Sequence, residues 1–184
     1  MSEKKLEAQL VQKCIDGDTA AFSKLINNYR TRLFTYLLRI SGDRMTAEDL
    51  FQDTLIKVWK GMKIYNEQQK FTSWLFTIAH NVAIDALRTK KLKEITFSIN
   101  EEIETTSDVT PHSELVATET KLALEKVVEA LPENQKQVFL LRQHSNMPFK
   151  EIASVLNQPL NTVLSHMHYA VKKLKENLRD ENEH

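Results

Sequence analysis

The sequence predicts an all-α protein of two small helical domains joined by a flexible acidic linker, the second domain containing a helix-turn-helix. Three observations carry that prediction. Apolar residues recur at helical spacing over most of the chain. Its 184 residues include three glycines, Gly17, Gly42 and Gly61, far too few for a turn-rich β protein or a glycine-rich nucleotide fold. The net charge of zero hides a strong partition. Residues 1–93 carry 16 bases and 10 acids, residues 94–120 carry seven acids and no base, and residues 121–184 carry nine bases and eight acids. A basic block, an acidic block and a balanced block read as two folded units and a connector, with boundaries at 1–93, 94–112 and 113–184.

Each element follows from its own signals. Leu6, Leu10, Val11, Cys14 and Ile15 recur at helical spacing until Gly17 stops the run. Asp18 is placed to cap a long second helix carrying Phe22, Leu25, Ile26, Tyr29, Leu33 and Leu37, with Gly42 just past its end. Thr46, with Asp49 three residues on, resembles a capping box and starts a third helix ending near Gly61. A polar loop over Lys63–Lys70 precedes a long helix from about Thr72 to Lys91 or beyond. From Glu94 to Pro111, Ser, Thr, Asp and Glu replace the periodic pattern, which predicts a linker with a short extended piece around Ile95–Ile99. Periodicity resumes over Leu115–Leu131. Pro132 opens a helix over Glu133–His144. Pro148 and Pro159 then bracket a short Phe149–Asn157 segment and a terminal helix from Asn161 to about Leu178.

Whole classes of chemistry are missing from this pattern. The single Cys14 excludes an intramolecular disulfide framework and a cysteine zinc site, and fits a reducing compartment. His166 and His168 lie ~200° apart on a helix and cannot share a metal. His80, His112, His144 and His184 show no ligand pattern. No Ser/His/Asp set, phosphate loop or redox motif is present, so no catalytic residue, metal, cofactor or small-molecule substrate is expected. No apolar run approaches the ~18 residues of a membrane span, and the charged start lacks a signal-peptide core, so a cytoplasmic protein is expected.

Three segments carry functional candidates. In Ala47–Lys60, successive residues step by ~100° around a helix, so Leu50, Phe51, Thr54, Leu55 and Val58 share one face. Asp49, Gln52, Asp53, Ile56 and Lys60 share the opposite one. That face suits either solvent or protein docking, an apolar contact ringed by polar groups. Asp49 and Asp53 have no histidine or third carboxylate beside them to make a metal or acid–base site. In Phe71–Lys91, Leu75, Ile78, Ala79, Val82 and Ala86 form the expected buried stripe. Trp74, Thr77, Asn81, Asp85 and Arg88 line another face, and Arg88, Lys90, Lys91 and Lys93 make a basic end. An aromatic, an amide and cations on one helix suit single-stranded nucleic acid. Trp74 as a half-buried packing residue, and the cations as complements of the helix dipole, are the plain alternatives. In Pro148–Lys175, Ile152, Ala153 and Leu156 are expected to pack on Val163, Met167, Ala170 and Leu174. Asn161, Thr162, Ser165, His166, Tyr169, Lys172 and Lys173 then face away, suited to a major groove and its phosphates. An ordinary helical hairpin is the alternative.

With these motifs in view, the chain resembles an extracytoplasmic-function (ECF) sigma factor of bacterial RNA polymerase over roughly Leu10–Leu178, linker excluded. The resemblance rests on Gly17-Asp-Thr-Ala-Ala-Phe22, Tyr29-Arg-Thr-Arg-Leu33, Ala47-Glu-Asp-Leu-Phe-Gln-Asp53, Phe71-Thr-Ser-Trp-Leu75, Ala79-His-Asn-Val-Ala-Ile-Asp-Ala-Leu-Arg88, Leu131-Pro-Glu-Asn-Gln135 and Leu160-Asn-Thr-Val-Leu-Ser-His-Met-His168. It implies a factor that binds core polymerase and directs promoter recognition, melting and initiation without catalysis of its own. Asp49, Gln52, Asp53 and Ile56 are then expected on the polymerase clamp coiled coil. Tyr65, Lys70, Phe71, Trp74, Thr77, Asn81, Arg88 and Lys91 are expected on the −10 element, one base being captured by the 65–71 loop. Asn161, Thr162, Ser165, His166, Tyr169, Lys172 and Lys173 are expected on the −35 element, while the first helices of that domain hold the polymerase flap. The linker would run toward the RNA exit path, and an anti-sigma factor is an expected partner, as are double- and single-stranded promoter DNA. Family members often carry Lys or Arg where this chain has Leu164, His166 and Tyr169, which reduces phosphate attraction there. Leu164, at the edge of the apolar stripe, is expected to pack. The competing function is a stand-alone helix-turn-helix regulator that never touches polymerase and has no use for the Asp49/Gln52/Asp53 face.

Overall fold

The computed structural model describes residues 3–66, 70–98 and 126–180. It divides into two compact units, Met1–Ser107 and Asp108–His184. Among the described residues every regular element is helical.

The upstream unit opens with α1 (Glu3–Ile15), stopped as expected by Gly17 at φ 91°. The Asp18 and Gly17 amides bond back to the Lys13 and Cys14 carbonyls at 2.9 and 3.0 Å. This paired closure needs a left-handed residue, which glycine adopts without steric cost. Asp18 then caps α2 (Thr19–Asn27) by accepting from the Ala21 amide at 2.9 Å. The single long helix expected to follow is two helices, because the chain tightens at Asn28 and Tyr29 before α3 (Arg30–Ser41). Their amides bond three residues back, to Leu25 and Ile26, and Leu25, Ile26, Tyr29, Leu33 and Leu37 all stay buried across the break. Gly42, at φ 82°, ends α3.

The next cap differs from expectation. α4 (Arg44–Gly61) starts at Asp43, whose carboxylate accepts from the Thr46 amide at 2.8 Å, so Thr46 lies inside the helix. Asp43 is the better acceptor for orphan N–H groups, since its charge also complements the positive end of the helix dipole. A 3₁₀ turn (Met62–Ile64) leads toward α5 (Phe71–Ser98). α5 runs beyond the expected linker boundary, and Ile95–Ser98 is helical where an extended piece was expected. Extending an existing helix avoids the nucleation cost, and the preceding Lys-Lys-Leu-Lys-Glu run favours helix. The remainder of the expected linker, 99–112, lies outside the described residues. α3, α4 and α5 pack on one another and α1 lies along α2. Leu25, Leu33, Tyr36, Leu37, Val58, Leu75 and Phe76 fill the centre. Each such side chain contributes about 1.5–3 kcal/mol by leaving water.

In the second unit, residues 126–129 are helical and are followed by α6 (Glu133–Ser145), α7 (Phe149–Val155) and α8 (Leu160–Asp180). α6 and α7 both pack on α8. Val138, Leu140, Leu141, Met147, Ile152, Val163 and Ala170 form this core. Asn146 (φ 57°) ends α6, and the Arg142 guanidinium locks the turn by donating to the Met147 carbonyl at 2.6 Å while lying 5.2 Å from the Phe149 ring. The turn between α7 and α8 closes like that after α1. Asn157 takes φ 50°, and the Gln158 and Asn157 amides bond to the Ala153 and Ser154 carbonyls at 3.0 and 3.2 Å. Asparagine is the residue that most readily replaces glycine in this conformation.

Candidate functional site

The three candidate surfaces rest on α4, on the start of α5 with the turn before it, and on α8. On α4, Ala47, Leu50, Thr54 and Val58 are buried and Phe51 and Leu55 half-buried. Thr54 is accommodated because its hydroxyl donates to the Leu50 carbonyl at 2.7 Å. Asp49, Gln52, Asp53, Ile56 and Lys60 all face water. Ile56 is 51 % exposed, so this face presents an apolar side chain among carboxylates and an amide.

On α5 the buried stripe differs from the expected one. Leu75, Ala79 and Val82 are buried, but Ile78 and Ala86 are only half-buried, while Phe76, His80 and Ala83 are inside. α3 and α4 flank α5 on two sides, so the covered arc is wider than one stripe. His80, 5 % exposed, meets the Tyr36 hydroxyl through Nδ1 at 2.8 Å. It is a core histidine, and the sequence pattern around it gives no hint of that partner.

The aromatic residues at the start of α5 form one cluster. Trp74 lies 4.9 Å from Tyr65 and 5.9 Å from Phe71, and Tyr65 lies 5.9 Å from Phe71. Phe71 also meets Tyr29 at 5.5 Å. Tyr65 and Trp74 are half-buried and keep part of their surface open. Phe71, expected on the −10 element, is 2 % exposed and forms the packed centre of the cluster. The indole lies over Gly61, where a Cβ would come within 2.9 Å of Trp74 Cζ2. Lys70, Asn81, Arg88 and Lys91 are exposed. Thr77 is half-buried and donates its hydroxyl to the Ser73 carbonyl at 2.7 Å. Residues 67–69, the middle of the loop expected to capture a base, lie outside the described residues. Ile64, not singled out by the sequence, stands 86 % exposed beside Tyr65; an isoleucine in an otherwise polar loop was the signal for it.

On α8, Val163, Ala170 and Leu174 are buried and Met167 half-buried, against Ile152 and Ala153, with Leu156 half-buried. Asn161, Ser165, Tyr169, Lys172 and Lys173 are exposed, and Thr162 and His166 are half-buried. Ser165 donates to the Asn161 carbonyl at 2.9 Å, and Lys172 pairs with Glu176 at 3.8 Å. Leu164, expected to pack, is 42 % exposed. It sits a quarter-turn from the core stripe and lines, with Phe149, Met167 and Val171, a groove of about 630 Å³.

Among the described residues, no three His, Cys, Asp or Glu side chains gather to hold a metal. Cys14 is buried, and burial followed by the nearby Asp18 charge pushes its thiol up to about 11, away from reactivity. Among the same residues, no helix is long and apolar enough to cross a membrane.

Comparison with known proteins now adds to this geometry. The family model for Sigma-70 region 2 matches residues 25–92, and that for Sigma-70 region 4 matches residues 121–174. The chain is 27 % identical over 175 residues to the ECF RNA polymerase sigma factor SigW of Bacillus subtilis, covering 89 % of this chain and 92 % of that one. It is 25 % identical over 185 residues to the ECF RNA polymerase sigma-E factor of Haemophilus influenzae, covering 96 % and 97 %. Its fold is similar to the sigma factor RpoE solved with the anti-sigma factor NepR from Bartonella quintana, at TM-score 0.69 and 23 % identity over 86 % of this chain and 96 % of that one. It is also similar to CnrH solved with the cytosolic domain of CnrY, at TM-score 0.65 and 18 % identity over 95 % and 98 %. With both regions matched in order and relatives aligned over nearly their whole length, the chain belongs to the ECF sigma factors of RNA polymerase.

Proposed function

We propose that the initiation activity of this sigma factor is divided among the three surfaces, and that none performs covalent chemistry. The α4 face of Asp49, Gln52, Asp53 and Ile56 docks on the clamp coiled coil of core polymerase. The observation that carries this is the exposed Ile56 centred among hydrogen-bonding groups, on a helix whose opposite face packs on the core through Leu50, Thr54 and Val58. A solvated face has no need of that isoleucine, whereas an interface centre gains from burying it within a polar rim.

Tyr65, Trp74 and Asn81, with Lys70, Arg88 and Lys91 on the backbone, engage the −10 element. Unstacking a base costs a few kcal/mol, which stacking on an aromatic of about 1–3 kcal/mol per base offsets. Thr77 lies along the same track, and Phe71 supports the two rings from below. Asn161, Thr162, Ser165, His166, Tyr169, Lys172 and Lys173 engage the −35 element through α8, while the preceding helices of that unit meet the polymerase flap. Tethering both units to one polymerase raises the effective concentration of each at its element, so the free protein binds promoter DNA poorly. An anti-sigma protein that covers these surfaces is the partner suggested by the complexes in which both similar structures were solved. All of these contacts belong to the bacterial cytoplasm.

Run-off transcription with core polymerase on a library of promoters tests this reading. Transcripts dependent on the protein are expected, lost when Asp49 and Asp53 are both changed to Lys. Tight sequence-specific binding by the protein without polymerase would instead identify an independent regulator.

A further inference from the structure

Tyr29 is a junction that the surfaces above do not use. It sits buried at the break between α2 and α3. Its hydroxyl donates to a carboxylate oxygen of Glu7 on α1 and accepts from the Thr72 hydroxyl, in the first turn of α5, at 3.2 Å. Its ring meets Phe71 at 5.5 Å, and the Arg32 guanidinium lies 5.6 Å from that ring. Three segments far apart in sequence therefore converge on one phenol. Burial, then the bond to Glu7, pushes the Tyr29 hydroxyl up to about 12, so it keeps its proton and donates at any physiological pH.

The cost of this arrangement suggests a use. Turning a carboxylate toward a packed ring sacrifices hydration, and α1 already holds to α2 through buried Val11 and Cys14. An apolar side chain in place of Glu7 would suffice for adhesion. A hydrogen bond adds fixed distance and direction, which apolar packing does not. The fixed element is the start of α5, where Thr72 is flanked by Phe71 and lies two residues before Trp74. Phe71 is the centre on which Tyr65 and Trp74 rest. Glu7 lies before the region-2 match, which begins at residue 25.

We infer that Glu7, acting through Tyr29 and Thr72, is a positioning residue that fixes the Tyr65–Trp74 pair for capture of unstacked bases during promoter opening. This rests on the −10 role given to that pair. A ring free to rock loses part of the stacking geometry that opening requires, while duplex binding and the α4 docking face are untouched.

The test uses reconstituted polymerase holoenzyme. The probe is a duplex promoter fragment recovered by the wild-type holoenzyme from a randomised library and labelled with 2-aminopurine in its −10 region. Glu7→Ala is expected to lower the opening rate about tenfold, in the range of a lost hydrogen bond to a charged group, with core-polymerase affinity within about twofold of wild type. Glu7→Gln, which keeps an acceptor, is expected to recover most of the rate. Thr72→Val, which removes only the hydroxyl, is expected to slow opening a few-fold. In the free protein carrying Trp59→Phe, read without polymerase, Trp74 is the sole tryptophan. Its emission is expected to shift in Glu7→Ala and return in Glu7→Gln. Wild-type opening rates in Glu7→Ala and Thr72→Val, or a loss of opening matched by an equal loss of polymerase affinity, overturn the inference. Opening by the Trp74→Ala holoenzyme at the wild-type rate overturns the −10 reading and the inference with it.

Discussion

The two units support the residues proposed to meet DNA in different ways. In the upstream unit, Tyr65 and Trp74 belong to a cluster drawn from the α2–α3 turn, the 3₁₀ segment and α5, and each ring is held by others. In the second unit, the polar stripe comes from α8, and the contacts described for its members run along the helix, from Ser165 to Asn161 and from Lys172 to Glu176. The difference fits what each element demands. Holding a base out of its stack needs a rigid surface in place beforehand, because ordering the protein at that moment would consume the stacking energy. Gripping an intact duplex needs only side chains that reach phosphates and groove edges, and long mobile side chains manage that. Damage to a cross-linked site should therefore be large and local, and damage to the stripe small and distributed.

The largest effect is expected on the α4 face proposed to dock on polymerase. Reversing Asp49 and Asp53 to Lys should abolish copurification with core polymerase, an affinity loss of about a hundredfold or more, since two rim attractions become repulsions around a desolvated Ile56. Next comes the aromatic cluster. Trp74→Ala should slow promoter opening by about 10- to 100-fold, the range of one lost base stack, and leave polymerase copurification intact. Gly61→Ala should act in the same direction more weakly, because its new methyl would enter space within 2.9 Å of the indole and push it off α4. Unaltered opening in both variants would show that the cluster is only core.

Why the sequence revealed some of these features and not others has a physical basis. The two faces of α4 separate cleanly in the sequence because one side of that helix is core and the other solvent. The helix-turn-helix is legible because Pro148 and Pro159 bracket its first helix and α8 is strongly amphipathic. The break at Asn28–Tyr29 is invisible because it needs no glycine or proline: Asn28 keeps right-handed helical angles, at φ −65° and ψ −21°, and the apolar spacing carries through. The burial of His80 and of Phe71 depends on partners 44 residues away for one and on Tyr29, Tyr65 and Trp74 for the other. Periodicity within a helix records which face is covered, not which distant hydroxyl or ring covers it. The cap at Asp43 is obscured in the sequence because Thr46 and Asp49 imitate a capping box just inside the helix.

That cap gives a smaller prediction, on stability. Burial alone would raise the Asp43 carboxyl, but bonds from the Thr46 amide and hydroxyl, the Lys90 charge and the Met45 amide together hold it below its ordinary value. A carboxyl lowered on folding contributes stability above its unfolded pKa of about 3.9, and that contribution is lost as pH falls through the folded value. Asp43→Ala should cost about 1 kcal/mol at neutral pH. Asp43→Asn keeps the cap and removes the charge, so its melting temperature should lie below wild type at pH 6 and converge with it on acidification. A gap between those two that persists to pH 2.5 would rule out the charge as its source.

The smallest expected effects fall on α8 and decide whether the contrast between the units holds. Lys172 is exposed and its 3.8 Å pairing with Glu176 joins two well-solvated side chains, so freeing it for a phosphate costs little. Lys172→Ala should weaken holoenzyme binding to the −35 duplex only a few-fold, equally on all promoter sequences, and lower the slope of log affinity against log salt by about 1. Tyr169→Arg should do the reverse, adding a phosphate contact where the chain has an uncharged ring and raising the slope by a similar amount. Titration of holoenzyme with a fork-junction promoter at several salt concentrations measures both. A Lys172→Ala defect as large as that of Trp74→Ala, or one confined to particular −35 sequences, would mean that α8 is as tightly organised for its element as the aromatic cluster is for the other.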